Sequence, residues 1–431
     1  MSLAVGCLVA TFVLLSVLRV PIAYAMFSGS IVYLWVSGQD VGLVVDQTMN
    51  TLSGLYVLLA VPMFILAANV MNATTISDRL WAAADALVGR WRGGVGHVTV
   101  LVNIVFSGIS GSAVTDAAGP GMLAMKMMRD VSRYPAGFSA ALIAAASTIA
   151  PIIPPSIPMI LYALLSGASV GALFLGGVVP GLLMAGSLMV AIAITARTRG
   201  LPRGEAVPMH KLPGVLGRAL VPMTLPLVLL GGLFSGVFTP TEAAAVAAIY
   251  AILLGIIVYR NLGPRTLMAV MLESARQSAV VMVLIASAFV VNYAITSEQI
   301  AVRLADAVSA WHLQPLAFLL AVNALFLVLG CFLDASVLLL VFVPVLLPAA
   351  KALGLDMVHF GVVVIVNLMI GLITPPYGLL LFVLAALGRV PLMEIVREIW
   401  IFIVPLMTVL LLLIVFPDFV LALPRWAGMI K

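Results

Sequence analysis

Apolar residues fill this chain in long runs separated by short polar turns. Ten runs are long enough to cross a hydrocarbon core as helices. They lie at about 3 to 18, 22 to 38, 55 to 72, 137 to 166, 168 to 196, 219 to 237, 240 to 259, 279 to 295, 358 to 386 and 399 to 416. Two further apolar stretches, 94 to 130 and 313 to 350, are interrupted at their centres by GISGSAVTDAAGPG and GCFLDAS. Each is too irregular for one span and long enough for two short helices, so both are expected to be re-entrant hairpins. Irregular backbone at membrane depth is tolerated only where protein buries it or water lines it, which places both tips in a functional interior. Two of the ten spans are themselves broken, by Pro154 and Pro155 in APIIPPS and by Pro375 and Pro376 in GLITPPYG, pairs that stand 221 positions apart. Broken helices at matching places in two halves mark a mid-membrane binding site.

The halves align in order. Residues 1–210 and 211–431 each contain scaffold spans, an amphipathic segment (74–91 and 296–311), a hairpin (94–130 and 313–350), a broken helix (137–166 and 358–386) and a final span. Five crossings per half is an odd number, so the second half must be inverted relative to the first. Asn69 and Asn292 fall 223 positions apart in equivalent spans, and Arg79 and Arg303 fall 224 apart in the amphipathic segments. The expected fold class is an all-α polytopic membrane protein of two inverted repeats.

Composition agrees. The chain is 64% hydrophobic and 9% charged, with mean hydropathy +1.26, whereas a soluble domain carries about 25% charged residues. The longest polar stretch runs only from about Arg197 to Arg218, so no separate soluble domain is expected, and the run beginning at Leu3 reads as a retained helix. The net charge of +5 does not point to nucleic acid, because the basic residues sit in short loops. With the amino terminus outside, 17 of the 21 basic residues fall on the inner side: Arg19, Arg79, Arg90, Arg92, Lys126, Arg129, Arg133, Arg197, Arg199, Arg203, Lys211, Arg218, Arg260, Arg265, Arg276, Arg389 and Arg397. That is the positive-inside bias, and it places both termini outside. Cys7 and Cys331 lie in apolar surroundings and offer neither a disulfide framework nor a zinc site. His97, His210, His312 and His359 have no metal-ligand spacing, so no metal centre beyond a transported cation is expected and no cofactor.

The segments FSGISGSAVTDAAGPG and RYPAGFSAALIAAASTIAPIIPPSIPMILYALLSG resemble the first-half signature of the large membrane (M) subunit of TRAP transporters, the tripartite ATP-independent periplasmic carriers. GVFTPTEAAAVAAIYA, VPMFILAANVMN and the run from LGCFLDAS through GLITPPYGLLLF are similar to the same family, so the resemblance spans nearly the whole chain. It implies an ion-transporter-superfamily fold in the bacterial inner membrane and sodium-coupled symport of a small organic acid. It also implies two partners, a small four-helix membrane subunit and a periplasmic substrate-binding protein.

A cation at a helix break needs hard oxygen ligands, which unwound carbonyls and hydroxyls provide. Beside the first tip, Ser107, Gly108, Ser110, Gly111 and Ser112 face a break containing Ser147, Thr148, Pro154, Pro155 and Ser156. Proline denies a helical bond to the carbonyl four residues earlier, so Ala150 and Pro151 are expected to have free carbonyls. Ser107, Gly108, Ser110, Gly111, Ser112, Ala150, Pro151 and Pro154 form the first expected sodium site. By pseudo-symmetry the second joins Gly330, Cys331 and Asp334 to Gly371, Thr374 and Pro375. Substrate is expected between the tips, at Ser110, Ser112, Thr115, Asp116, Ser156 and Thr374, where hydroxyls and helix amino termini favour an anion.

Each feature has a plainer reading. Small residues also serve close helix packing. Asp116 and Asp334, acids inside a membrane, are functional candidates or caps of the returning hairpin helices. Asn69 and Asn292 bind substrate or join helices. Thr239, Pro240 and Glu242 spell a capping box. Two other functions fit parts of the pattern: a stand-alone sodium/dicarboxylate-type carrier, and an intramembrane enzyme built on Asp116 and Asp334. The expected mechanism is an elevator, in which the hairpin bodies carry the site past a fixed scaffold and the amphipathic segments act as arms along the membrane faces.

Overall fold

The computed structural model describes residues 2–74, 76–204, 208, 210 and 212–430. Thr75 of the first arm segment and Lys211 of the inner basic set lie outside the described residues. The described chain is helical, with one isolated β-bridge between Arg92 and Arg203.

The first half opens with α1 (Leu3–Val17) and α2 (Ile22–Val36), which pack on each other. The helix α3 (Leu43–Gly54) follows and was not expected, because Asp46, Gln47, Thr48 and Asn50 make it too polar to register as a span. It meets a 3-10 turn at Tyr56–Leu59 and α4 (Ala60–Asn72) at a 70° bend. The arm α5 (Ile76–Val88) leads into hairpin 1: α6 (Gly94–Ser110), α7 (Ala113–Ala118), α8 (Pro120–Lys126) and a π turn ending at Val131. The first broken helix is α9 (Ala136–Ser147) and α10 (Ile157–Ser166), and α11 (Val170–Thr198) closes the half.

The second half repeats this order with α12 (Leu212–Phe234), α13 (Pro240–Leu253), α14 (Pro264–Ser297) and the arm α15 (Ile300–Ala310). Hairpin 2 is α16 (Pro315–Gly330), α17 (Ala335–Val337), a π turn at Leu338–Phe342 and α18 (Val343–Ala352). The second broken helix is α19 (Met357–Gly371) and α20 (Leu379–Gly388), followed by α21 (Leu392–Val415) and α22 (Asp418–Trp426). Among the described residues, six helices are long and apolar enough to cross a membrane alone. One of the six is the returning limb of hairpin 2, Ala335–Ala352; the other hairpin limbs and the broken halves are shorter, as elements that meet inside a membrane must be.

The expected span at 279 to 295 is the last part of the 34-residue α14. Its first half carries Arg265, Glu273 and Arg276, which suppress hydropathy without preventing helix, and Pro264 starts the helix where no amide donor is needed. The capping box forms as expected: the Thr239 N–H donates to the Glu242 carboxylate at 2.8 Å, and the Glu242 N–H to Thr239 Oγ1 at 3.3 Å.

The core centres on α9 and α19, the leading halves of the two breaks. Phe138 on α9 meets Phe402 on α21 at 5.5 Å between ring centres, while Phe360 on α19 packs against Tyr162 and Phe318. Packing partners exchange between halves: α9 lies on α21 and α19 on α11; α7 lies on α20 and the 338–342 turn on α10; α4 lies on α13 and α14 on α2. Gly177 and Gly181 of α11 bring that helix against Ile152 and Ile153 of the first break, the close approach that small residues permit.

Candidate functional site

The first tip and the first break lie together. Ser110 ends α6, Gly111 turns the chain with φ +60, and Ser112 caps α7 by accepting the Thr115 N–H at 3.4 Å. A Cβ on Gly111 would stand against the Pro155 carbonyl, 3.3 Å from its carbon and 3.6 Å from Ile157 N. A Cβ on Gly108 would be 3.9 Å from Pro154 O and 3.1 Å from Pro226 of α12. Both tip glycines therefore keep side-chain atoms out of the space in front of the proline carbonyls. The Pro154–Pro155 bond is cis, as is Pro375–Pro376.

Two expectations are corrected here. The Pro151 carbonyl is not free, because Ser156, already the cap of α10 through the Met159 N–H at 3.2 Å, also donates its hydroxyl to it. Among the described residues the carbonyls without a hydrogen bond in this break are those of Thr148, Ala150, Ile152, Ile153, Pro154 and Pro155. Asp116 is not the cap of the returning helix either, since Ser112 holds that place. Asp116 is fully buried one turn in; its Oδ1 accepts the Ser110 hydroxyl, while Oδ2 has no partner among the described residues. Ser147 Oγ is likewise buried and without a partner, whereas Ser107 donates to Ile104 O at 2.6 Å and Thr148 to Ala145 O at 2.6 Å.

The second junction is built differently. Gly330 and Gly371 cross in contact, a Cβ on Gly330 standing 3.3 Å from Gly371 Cα. Asp334 caps α17, its Oδ1 accepting the Ser336 N–H at 2.8 Å. The Cys331 thiol donates to Leu327 O at 3.1 Å and the Thr374 hydroxyl to Ile370 O at 2.8 Å, so these side chains are engaged with their own helices. Pro375 is half-buried, and Pro376 and Tyr377 are exposed. Further into this body, Asn367 on α19 donates to both the backbone and side-chain oxygens of Asn323 on α16, at 2.7 and 2.8 Å.

A cavity of about 400 Å³ opens beside the first tip, lined by Ser110, Ser112 and Thr115 from hairpin 1, Ile157 from the break, Asn69 from α4 and Gln277 from α14. Of the expected substrate residues, Ser110, Ser112 and Thr115 line it, and Asp116, Ser156 and Thr374 do not. Asn69 joins helices, donating to Ser274 Oγ and Gln277 Oε1, each at 3.0 Å, and lines the cavity. Asn292 joins α14 to hairpin 2 through Leu340 O at 3.0 Å. Gln277 was missed because it falls just before the apolar run of α14. Among the described residues no cluster of three or more His, Cys, Asp or Glu forms a metal site.

Comparison with known proteins fits this geometry. The family model "Tripartite ATP-independent periplasmic transporter, DctM component" matches residues 9–419. The chain is 42% identical to the sialic acid TRAP transporter large permease protein SiaM of Vibrio cholerae, over 86% of each chain. It is 39% identical to the C4-dicarboxylate large permease DctM of Pseudomonas aeruginosa, covering 93% of this chain and 94% of that one. With the 2,3-diketo-L-gulonate large permease YiaN of Escherichia coli the figures are 35% identity, 94% and 95%. The crystal structure of the Alcanivorax borkumensis YdaH transporter superposes with a TM-score of 0.60 at 16% identity, covering 84% of this chain and 85% of that one, a likeness of fold.

Proposed function

Because the chain belongs to the tripartite ATP-independent periplasmic transporter family, as its DctM component or large membrane permease, we propose that it imports a small organic acid by sodium symport. The substrate is delivered by a periplasmic binding protein, and the chain works with a small four-helix membrane subunit in the inner membrane, both termini facing the periplasm. The three relatives named above are described by substrates that each carry a carboxylate, which supports an organic acid as cargo.

One observation carries the ionic part of the reading: the Pro154 and Pro155 carbonyls face Gly108 and Gly111 without hydrogen bonds, and in the same tip Asp116, bonded to Ser110 through Oδ1, has an Oδ2 without a partner among the described residues. Unpaired buried oxygens are costly unless something occupies them, and hard oxygens without thiol or imidazole suit an alkali cation. Sodium held there would fix hairpin tip to broken helix and order the wall formed by Ser110, Ser112 and Thr115. The substrate carboxylate then meets hydroxyls and a nearby cation rather than an arginine. Coupling follows because each ligand organises the surface that the other binds.

The cavity also lies between two groups of helices. Its Asn69 and Gln277 walls belong to α4 and α14, which pack with α2 and α13 as a scaffold, and its remaining walls belong to hairpin 1 and the break. That placement, with the exchange of packing partners between halves, supports two inverted repeats and an elevator in which the hairpin body moves past the scaffold. Reconstitution tests this reading. In proteoliposomes with the small subunit and a loaded binding protein, uptake requires an inward sodium gradient. Uptake unchanged when choline replaces sodium would refute the coupling, and uptake without the binding protein would favour a stand-alone carrier.

A further inference from the structure

At the opposite end of α6 from the tip, four arginines converge on a cavity of about 940 Å³. Arg90 and Arg92 leave the arm, Arg197 ends α11, and Arg203 is brought in by backbone pairing. The Arg92–Arg203 bridge, the Gly93 N–H on Pro202 O at 3.2 Å and the Gly204 N–H on Gly89 O at 3.1 Å hold the two strands together. Like charges paired across such a bridge are destabilising unless something neutralises them. Among the described residues none of the four makes an ion pair and no acid lines the cavity; Glu205 lies outside the described residues. His97, 2% exposed, lines the same cavity and has a ring nitrogen, Nδ1, with no partner among them.

The other wall is apolar. Met189, Val190 and Ala193 of α11 line it, and Val190 is 59% exposed. Trp91, 46% exposed and edge-on to His97 at 5.3 Å, lines the cavity as well, and an amphipathic ring of that kind favours a membrane interface. Guanidinium forks match phosphate oxygens, and basic pockets between membrane helices hold anionic headgroups. A soluble anion would use the arginines and leave the apolar wall idle. We propose that this cavity binds an anionic phospholipid, its phosphate among the four arginines and an acyl chain along α11. The lipid would tie the arm to the base of hairpin 1 and to α11, independently of sodium coupling.

Native mass spectrometry of the full chain tests the site with phosphatidylglycerol, phosphatidylcholine and inorganic phosphate as separate probes. Phosphatidylglycerol is retained at least about tenfold over phosphatidylcholine, and at roughly fivefold per basic residue the Arg92→Gln/Arg203→Gln variant loses about 25-fold. Equal retention of the two lipids, no loss in the variant, or phosphate binding as tightly as the lipid would overturn the proposal. Should that variant fail to fold, fluorescence decides: brominated phosphatidylglycerol quenches the full chain more than brominated phosphatidylcholine, and Trp91→Phe removes the excess. An excess that persists in Trp91→Phe would overturn it.

Discussion

Replacing Gly111 by alanine separates two demands on the first hairpin tip, a left-handed backbone and close contact with the broken helix. Gly167, which ends α10, supplies the control: its φ is +74 against +60 for Gly111, but a Cβ there has nothing within 4 Å. Alanine at either position takes on the left-handed penalty, about 1 to 2 kcal/mol. Only at Gly111 does the new methyl also press on the Pro155 carbonyl and stand 3.6 Å from Ile157 N. These are backbone atoms that cannot rotate aside, and overpacking of that kind adds about 1 to 3 kcal/mol. Gly111→Ala is therefore expected to cost about 2 to 5 kcal/mol and Gly167→Ala only about 1 to 2, read as denaturant midpoints of the full chain in detergent. Uptake in proteoliposomes should be nearly abolished in Gly111→Ala and largely kept in Gly167→Ala. Equal stability and equal uptake in the two variants would mean that contact between tip and break does not matter.

Gln277→Ala and Asn69→Ala should each raise the KM for uptake, and their double-mutant cycle should show coupling of about 0.6 kcal/mol, with an upper bound near 1.7; additive effects would sever the link between α4 and α14. Thr239→Ala, which dismantles the capping box, should lose about 1 kcal/mol of stability with KM unchanged, and a changed KM would bring that turn into the site. Asn367→Ala strips Asn323 of its partner and should cost about 1 to 3 kcal/mol, with the Asn323→Ala/Asn367→Ala pair recovering part of it; a double variant as unstable as the sum of the singles would contradict that pairing. Asp116→Asn keeps the shape but removes a buried carboxylate oxygen, so the apparent affinity for sodium in uptake should fall while Asp334→Asn, at a helix cap, mainly lowers stability; the reverse ranking would reassign the acids.

Much of the arrangement is legible in the residues because membrane helices obey length and hydropathy. Hairpin 1, expected at 94 to 130, runs from Gly94 to Val131, and the breaks fall at the paired prolines. Hydropathy misses elements that are helical without being apolar, which explains α3 and the amino-terminal half of α14, and with the latter Gln277. Side-chain competition is also invisible to spacing. Ser112, Ser156 and Asp334 all satisfy helix amino termini, but nothing in GISGSAVTD tells which of Ser112 and Asp116 takes the cap. The proline rule correctly frees a carbonyl at Ala150, while the Pro151 carbonyl finds the Ser156 hydroxyl five residues on. The two junctions diverge for the same reason: hydroxyls and an unpaired carboxylate oxygen gather at the first, and a thiol and a capping acid at the second.

The central claim is that the first tip and the first break together hold the coupling cation, and equilibrium binding of radioactive sodium to the purified chain tests it most directly. Wild type should bind sodium saturably, and Gly111→Ala and Asp116→Asn should each lose a site's worth of binding that Gly167→Ala retains. Sodium binding unchanged in both first-junction variants, with the protein folded, would contradict the account.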